Sequence, residues 1–365
     1  SPPSSSSSNS NSTPRPNSCG HLPAPPSHWT HYFAQELWLD HRLHKENDDD
    51  GDSSTARYHA YITPPANPQK DPLFVCHHGA GASGLSFARF AQELRIRLPS
   101  AGILSLEARG HGSVVTNNTT ATADAGESPD FSLPTMSADA ETIISLTRAH
   151  FSWPSLPPTI LIGHSLGGAV IVDLAHRRAL GTSLVGFCVL DVVEGSAVEA
   201  LGHMTTYLAS RPAVFASEAD AIHWHLRSRT LRDQASAAVS VPALLRIDDS
   251  GDGGGGPSYT WATPLGPTQP FWPTWFTGLS GRFLASRGAK LLVLAGADRL
   301  DKELMIGQMQ GKFQLVVVPE AGHFVHEDAA ARVADVVAEF WRRNDGGALV
   351  LPPKVSDLIA QGKKV

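Results

Sequence analysis

Short apolar runs alternate with longer amphipathic stretches along most of the chain, beginning after the proline pair at 64–65. Apolar runs bounded by polar and turn residues predict buried strands. Two β-like runs, 32–40 and 57–63, flank an acidic turn and predict an opening hairpin. The strands predicted after this hairpin occupy 73–77, 102–106, 159–163, 185–190, 290–295 and 314–319.

The clearest helical pattern lies near the C-terminal end of the chain. Apolar residues recur there at helical spacing and form one stripe, consisting of Val333, Val336, Val337, Phe340 and Trp341. We expect this helix to pack on the sheet. Strands that alternate with helices predict a fold of the α/β class, with a mostly parallel central sheet and helices on both faces.

Composition divides the chain into segments. Residues 1–27 are rich in Ser, Pro and Asn and are predicted to form a disordered tail. The core is predicted at 28–191 and 290–345, and the interval 192–289 is too long for a simple crossover, which predicts an inserted cap. Within this cap, 248–257 contains successive glycines and predicts a mobile loop. Residues 346–365 are predicted to form a C-terminal tail.

Charge and cysteine content argue against several classes of function. The formal net charge of -6 and the pI near 6.3 give no basic excess, so we expect no nucleic-acid partner. Cys76 and Cys188 lie in apolar runs and Cys19 in the tail, which fits a reducing compartment better than a disulfide framework. No apolar run reaches the roughly 18–20 residues of a membrane span, and no leader pattern is recognised. These features predict a location in the cytoplasm or nucleus, without a membrane partner.

The strongest chemical signal is the string Gly-His-Ser-Leu-Gly at 163–167, between an apolar run and an amphipathic stretch. This order of strand, tight turn and helix is typical of the nucleophile elbow of α/β hydrolases. Small residues at Gly163 and Gly167 allow the strand and helix to approach, and the turn exposes the Ser165 hydroxyl. The pattern predicts Ser165 as a nucleophile, with the Leu166 amide as one oxyanion donor.

A second signal is the glycine-rich string His-His-Gly-Ala-Gly-Ala-Ser-Gly at 77–84, directly after a predicted strand. Hydrolases of this fold supply the other oxyanion amide from such a loop, and we expect it from Ala80. One alternative is a glycine-rich turn between strand and helix with a purely structural use, and another is that the two histidines bind a metal. No carboxylate or thiolate cluster accompanies them, so neither a metal nor another cofactor is expected.

The third signal is the string Gly-His-Phe-Val-His-Glu-Asp at 322–328, after the last predicted strand. In these hydrolases the chain order is serine, acid, histidine, which favours His323 as the general base. His326 is the competing candidate, and both histidines could instead cap the following helix. The acid is left open between Asp191 and Asp298, each at the end of a predicted strand, and the generic pattern favours Asp298.

These strings together resemble the protein phosphatase methylesterase family. The resemblance extends over about 31–341 and rests on Gly-His-Ser-Leu-Gly-Gly at 163–168, Leu-Asp-Val-Val-Glu-Gly at 190–195, Leu-Asp-Lys-Glu-Leu at 300–304, Ile-Gly-Gln-Met-Gln-Gly-Lys-Phe-Gln at 306–314, and 322–328. The resemblance implies an α/β-hydrolase fold and removal of the methyl ester from the C-terminal leucine of the phosphatase 2A catalytic subunit. It also implies that the methylated tail of that phosphatase is the partner and that Asp191 is the triad acid.

Two other functions remain open at this point. A small-molecule carboxylesterase or peptidase of the same fold would share the elbow but would not need the strings at 190–195 and 306–314. A phosphatase-binding module with a vestigial triad would share those strings but would not need an intact Ser165, Asp191 and His323.

Overall fold

The computed structural model describes residues 27–43, 54–116, 129–248, 258–296 and 300–345. The strands are β1 (Gln35–Leu43), β2 (Ser54–Thr63), β3 (Leu73–His77), β4 (Gly102–Leu106), β5 (Val114–Thr116), β6 (Thr159–His164), β7 (Leu184–Leu190), β8 (Val214–Phe215), β9 (Leu245–Asp248), β10 (Ser258–Trp261), β11 (Ala289–Leu294) and β12 (Gln314–Val317). The helices are α1 (Ala88–Arg97), α2 (Leu133–His150), α3 (Leu166–Arg177), α4 (Glu194–Ser210), α5 (Glu218–Arg227), α6 (Gln234–Ser240), α7 (Trp272–Trp275), α8 (Leu279–Ala285), α9 (Lys302–Met309), α10 (Val325–Asp328) and α11 (Ala330–Asn344).

The large sheet has the strand order β1-β2-β4-β3-β6-β7-β11-β12, with β5 paired to β2. The β1–β2 and β2–β4 pairs are antiparallel, and every pair from β4 to β12 is parallel. The predicted hairpin and mostly parallel sheet are therefore confirmed. Because β4 and β6 flank β3 on opposite sides, a switch point lies at the carboxyl ends of β3 and β6, where sheets of this kind build their sites.

Most predicted strands agree with the structure to within one or two residues, because buried parallel strands are continuous apolar runs. The first strand is displaced: a 3-10 turn at Trp29–His31 precedes it, and β1 begins only at Gln35. The last strand ends at Val317, earlier than predicted. The three-residue β5 was not predicted, because it is too short to show a pattern.

The predicted C-terminal helix is α11, and its apolar stripe is buried. It packs against α1 and contacts β7 and β11, on one face of the sheet. Helix α3 contacts α2 and α8 in the cluster on the other face. Helices on both faces of the sheet confirm the predicted layers.

The interval between β7 and β11 contains α4, α5, α6, α7, α8 and a small antiparallel sheet with the order β8-β10-β9. Its centre has an apolar cluster of its own, formed by Phe215, Ala221, Ile222, Leu231, Ala237 and Val241. In contrast, α7 and α8 pack into the main core: Trp275 Nε1–H donates to Phe131 O over 2.8 Å. The predicted domain division at 192 and 289 stays a prediction.

Several predictions fall on residues that the structure does not describe. These are the tail up to residue 26, Cys19, the glycine-rich loop after Asp248, the acid candidate Asp298 and the tail from residue 346. Cys76 and Cys188 are buried free thiols. Among the described helices, none combines the length and the apolar character that crossing a membrane would require.

Candidate active site

Ser165 lies at the turn between β6 and α3, with φ 51° and ψ −119°. A non-glycine residue at positive φ is strained, and such strain is concentrated at functional sites. The Ser165 N–H donates to Leu190 O at the end of β7 over 3.1 Å, which ties the turn to the neighbouring strand. The backbone thus has the conformation of a nucleophile elbow.

The glycines of the elbow are required by close approach of the backbone. A Cβ atom at Gly163 would lie 2.2 Å from Gly167 O, and one at Gly167 would lie 2.1 Å from His77 O. Neither contact is sterically tolerable. The spacing of Gly163 and Gly167 around Ser165 is therefore the condition for packing α3 against β3 and β6.

Asp191 follows β7 and has a positive φ of 50° as well. Its side chain is buried, and its Oδ2 accepts a hydrogen bond of 2.9 Å from His323 Nδ1. Its Oδ1 accepts from the Ala295 N–H at the end of β11 over 2.8 Å. These bonds orient the carboxylate and place the proton of His323 on Nδ1, which leaves Nε2 as an acceptor.

His323 lines the same cavity as Ser165, and its side chain is 45% exposed. No hydrogen bond between the Ser165 hydroxyl and the His323 ring is present within the described ranges. Such bonds are often long in a free enzyme and shorten when substrate binds. The structure therefore brings Asp191 and His323 into direct contact and places Ser165 in the wall of the cavity that His323 also lines.

His326, the competing histidine, lies in a different environment. Its ring is fully buried and stacks on Phe87 with the centroids 4.3 Å apart. Neither of its ring nitrogens has a hydrogen-bond partner in the described part of the chain. Burial lowers the pKa of His326 to about 3. The geometry favours His323 over His326 as the histidine of the site.

His164 was not predicted to act at the site. It precedes Ser165, is buried, and its Nε2 lies 2.9 Å from His323 O. Burial holds the pKa of His164 well below its usual value, so the ring is neutral and its Nε2–H donates to that carbonyl. His164 thereby links the elbow to the loop that carries His323.

The glycine-rich loop at 77–84 lies next to the elbow, as predicted. A Cβ at Gly79 would lie 3.1 Å from Ser165 Cβ, and Ala80 lines the cavity. Leu166 is the first residue of α3. Within the described residues, neither the Ala80 nor the Leu166 N–H donates a hydrogen bond. Both amides are therefore available to an oxyanion.

Two histidines fix the loop on either side of Ala80. His78 Nδ1–H donates to Gly79 O over 2.8 Å, while its Nε2 accepts from the Ala108 N–H. On the other side, the Gly81 N–H donates to His111 Nε2 over 2.8 Å. Burial lowers the pKa of His78 to about 4 and that of His111 to about 3, so both rings are neutral. His78 therefore has a structural use, and so does His77, whose Nδ1–H donates to His78 O over 2.9 Å.

Glu107 holds the C-terminal end of the same glycine-rich loop. Its Oε1 accepts from the Gly84 N–H over 2.8 Å. Burial raises the pKa of Glu107 to about 8, which keeps the carboxyl group protonated at neutral pH. The sequence contains no signal for this role or for that of His111, since each reaches the loop from a distant part of the chain.

The strings at 190–195 and 300–304 meet at the start of α8. Glu194 accepts from the Gly278 N–H over 2.8 Å and from the Ser280 N–H over 3.1 Å. Asp301 caps α9 by accepting from the Leu304 N–H, and it also accepts from the Ser280 hydroxyl. These carboxylates therefore join α4, α8 and α9.

The cavity that contains Ser165 has a volume of about 330 Å³. The core side contributes the loop after β3, the elbow and His323, while apolar residues of the β7–β11 interval cover it, among them Met204, Leu231 and Trp261. In the described residues, no group of three or more His, Cys, Asp or Glu side chains could hold a metal ion. The arrangement is suited to acyl transfer at a serine.

Known proteins resemble this chain in sequence and in fold. The family model described as alpha/beta hydrolase family matches residues 74–336. The protein phosphatase methylesterase 1 of Neurospora crassa is 51% identical, with 93% of this chain and 80% of that protein covered. The proteins of the same name from Gibberella zeae and Schizosaccharomyces pombe are 52% and 40% identical, with 92% and 90% of this chain and 79% and 88% of those proteins covered. The chain belongs to the protein phosphatase methylesterase family.

Solved structures agree on the fold. The E-2-(acetamidomethylene)succinate hydrolase has a TM-score of 0.56 at 16% identity, covering 83% of this chain and 99% of its own. The peroxisomal alpha-beta-hydrolase of Saccharomyces cerevisiae has a TM-score of 0.58 at 13% identity, covering 88% and 91%. Identities this low show the fold alone. These structures confirm the predicted α/β-hydrolase fold, whereas the methylesterase relatives and the family model confirm a serine hydrolase that acts on esters.

Proposed function

We propose that the chain hydrolyses the methyl ester of the C-terminal leucine of the phosphatase 2A catalytic subunit. The observation that carries the chemistry is the hydrogen bond from His323 Nδ1 to the buried Asp191, because His323 lines the cavity that contains the strained Ser165. The relatives named protein phosphatase methylesterase support the substrate class.

In the proposed reaction, His323 Nε2 takes the proton of Ser165 as Oγ bonds to the ester carbon. The amides of Ala80 and Leu166 stabilise the negative oxygen. The bond to methoxide then breaks, and His323 returns the proton so that methanol leaves. Water attacks the acyl-enzyme by the same route and releases the free carboxylate and Ser165. Asp191 holds the His323 ring and stabilises its positive charge.

A methyl ester alone offers little to recognise, since one methylene discriminates by only about 1–3 kcal/mol. We infer that selection comes from surfaces outside the cavity that contact the folded phosphatase. Helix α9 presents Met305, Ile306 and Met309 to solvent, and Met309 is 80% exposed. Exposed apolar groups of this kind are typical of protein-binding surfaces. The α9 surface, defined by these residues, supports a macromolecular partner.

We also infer a reducing compartment, either the cytoplasm or the nucleus. Cys76 on β3 and Cys188 on β7 are buried free thiols, separated by the intervening strand β6. Burial raises the pKa of both thiols, which makes them unreactive. Expression of the full chain with a fluorescent tag would test the location.

The direct test is incubation of the full chain with methylated phosphatase 2A, followed by mass spectrometry of the phosphatase C-terminus. We expect loss of 14 mass units, the difference between a methyl ester and an acid, with the wild type and not with Ser165→Ala. Ser165→Ala should still bind the phosphatase, because binding is proposed to depend on surfaces outside the hydroxyl. Rapid turnover of p-nitrophenyl acetate with an unchanged phosphatase mass would instead indicate a small-molecule esterase.

A further inference from the structure

The cavity beside Ser165 contains an arginine that the proposed reaction does not use. Arg211 directly follows α4, lines the cavity, and stacks on Trp261 with Cζ 4.2 Å from the ring centroid. Tyr207 lies on another side, with the corresponding distance 6.0 Å. Aromatic faces attract a guanidinium and leave its N–H groups free at the edge. This arrangement presents a fixed cation to the cavity.

Arg211 has no carboxylate partner among the residues that the structure describes. Its Nε is buried and makes no hydrogen bond there. Burial lowers the pKa of Arg211, although the group stays charged at neutral pH. Buried polar groups are normally hydrogen-bonded, and an unpaired, partly desolvated cation is costly. The missing partner is a sign of a ligand group.

The other titratable groups in the wall do not neutralise Arg211. Burial holds the pKa of Glu327 well above its usual value, so this carboxyl is protonated. Burial lowers the pKa of His225 to about 4, so its ring is neutral. A second cation, Arg229, lines the cavity and is exposed. The described charges in the wall are therefore positive around Arg211, which favours an anion.

We propose that Arg211, held on Trp261, forms a subsite for an acidic side chain of the substrate peptide, close to the residue that carries the ester. This inference rests on the proposed function and adds a selection rule to it. The methyl ester is uncharged, and its carbonyl oxygen is assigned to the Ala80 and Leu166 amides. An ionic partner for Arg211 must therefore come from a side chain of the peptide.

The subsite is built before the ligand arrives. Trp261 Nε1–H donates to Pro212 O over 2.7 Å, which fixes the indole ring against the residue that follows Arg211. The Trp261 ring also packs against Phe215, with the centroids 5.5 Å apart. A preorganised guanidinium loses little rotamer freedom on binding, so more of the interaction energy appears as affinity.

The test measures binding without turnover, in the whole chain with the Ser165→Ala substitution. Fluorescein-labelled Ala-rich hexapeptides ending in leucine methyl ester would carry Glu at each position before the leucine in turn, and each would have a Gln twin. Fluorescence polarisation gives the ratio of the two dissociation constants. At the best position, we expect the Glu peptide to bind at least about tenfold tighter than its twin.

Adding Arg211→Gln should reduce this ratio to about one, because the twins differ only in the charge that Arg211 would recognise. The matched control is Arg227→Gln, which removes an exposed arginine outside the cavity wall and should leave the ratio unchanged. If Arg211→Gln fails to melt cooperatively, Arg211→Lys replaces it. The lysine variant keeps the charge but loses the planar fork, and its ratio should fall several-fold.

The absence of any position where Glu binds better than Gln would overturn the subsite. An unchanged ratio of the two dissociation constants in Arg211→Gln would also overturn the subsite. If Arg211→Gln does not fold, an unchanged ratio in Arg211→Lys would have the same meaning. Failure of the proposed function has a different signature: the Glu peptide binds as expected, yet the protein with intact Ser165 releases no methanol from it. Methanol release with equal affinity for the twins contradicts only the subsite.

Discussion

The sheet edge that carries Ser165, Asp191 and His323 differs from the α4–α6 region above it in how its residues are held. At the sheet edge, the backbone does the positioning: Ser165 and Asp191 follow buried strands, and both have positive φ angles. In the α4–α6 region, side chains do the positioning, through a small apolar cluster and aromatic contacts around Trp261. None of the residues of α4 is buried.

The difference separates chemistry from selection. Acyl transfer requires a few atoms at fixed distances, and the ends of packed strands supply that precision. Selection of a protein substrate requires contact area and complementary charge. In the proposals above, exposed helices supply the contact area and Arg211 supplies the charge. A change at the sheet edge should therefore lower turnover of every ester. A change in the α4–α6 region or on the α9 surface should lower turnover of the protein substrate alone.

The largest effect is expected at the acid. Asp191→Asn should lower turnover about 10⁴-fold, because it removes the charge that stabilises the His323 imidazolium and disturbs its tautomer. Asp298→Asn should cost far less. Steady-state kinetics on p-nitrophenyl acetate and on methylated phosphatase would measure both. An inactive Asp298→Asn together with an active Asp191→Asn would show that the generic position, and not Asp191, supplies the acid.

The next effect concerns the α9 surface. Met309→Glu should weaken phosphatase binding by about 2 kcal/mol, roughly 30-fold, because it places a charge in an apolar contact. Hydrolysis of p-nitrophenyl acetate should change little. The control is Ile96→Glu on α1, which is 68% exposed and lies away from α9. Equal losses of affinity in the two variants, measured by surface plasmon resonance, would remove α9 from the interface.

A smaller effect is expected where the two regions are joined. Glu194→Gln weakens the two bonds to the amides at the start of α8 and should lower the free energy of unfolding by about 1–2 kcal/mol. Urea denaturation would measure it. Glu199→Gln on the exposed face of α4 serves as the control and should change stability by less than about 0.5 kcal/mol. Similar values for both variants would mean that Glu194 does not join the regions.

The smallest effect is a change in pH dependence. The pKa of His326 is about 3 in the folded state, against 6.5 when unfolded, so below pH 6.5 the unfolded chain binds a proton that the folded chain does not. This histidine therefore lowers stability as pH falls, by about 1 kcal/mol per unit. His326→Leu should remove that contribution. Melting curves from pH 7 to 5 should show the stability of His326→Leu rising relative to that of the wild type. A difference in stability that stays constant over this pH range would contradict the low pKa of His326.

Much of the sheet edge could be predicted from the sequence, because its determinants are local. Buried strands are continuous apolar runs, and the glycines at 163 and 167 are dictated by contacts within a few residues and with the neighbouring strand. The contact between Asp191 and His323 was reached only through the family resemblance, because two carboxylates follow strands and spacing alone favoured the other. The structure describes Asp191 but not Asp298, so the choice stays a prediction.

The supporting residues could not be predicted, because their roles arise from tertiary contacts. His111 reaches the amide of Gly81 across 30 positions of sequence, and His164 reaches the carbonyl of His323 across 159. The role of Arg211 also arises from tertiary structure, since its stacking on Trp261 depends on pairing of β8 with β10. The sequence around each of these residues contains no pattern that predicts its role. The role can be recognised only when the contacts of the side chain are known.

Activation of Ser165 by His323 and Asp191 is tested by labelling the whole chain with a fluorophosphonate, followed by peptide mass spectrometry. Only an activated serine reacts, because the reagent must be attacked by a hydroxyl whose proton is taken up by a base. We expect one adduct, on Ser165, that is absent from Ser165→Ala and forms far more slowly in Asp191→Asn. An adduct on another serine, or no adduct on a chain that still hydrolyses esters, would contradict it.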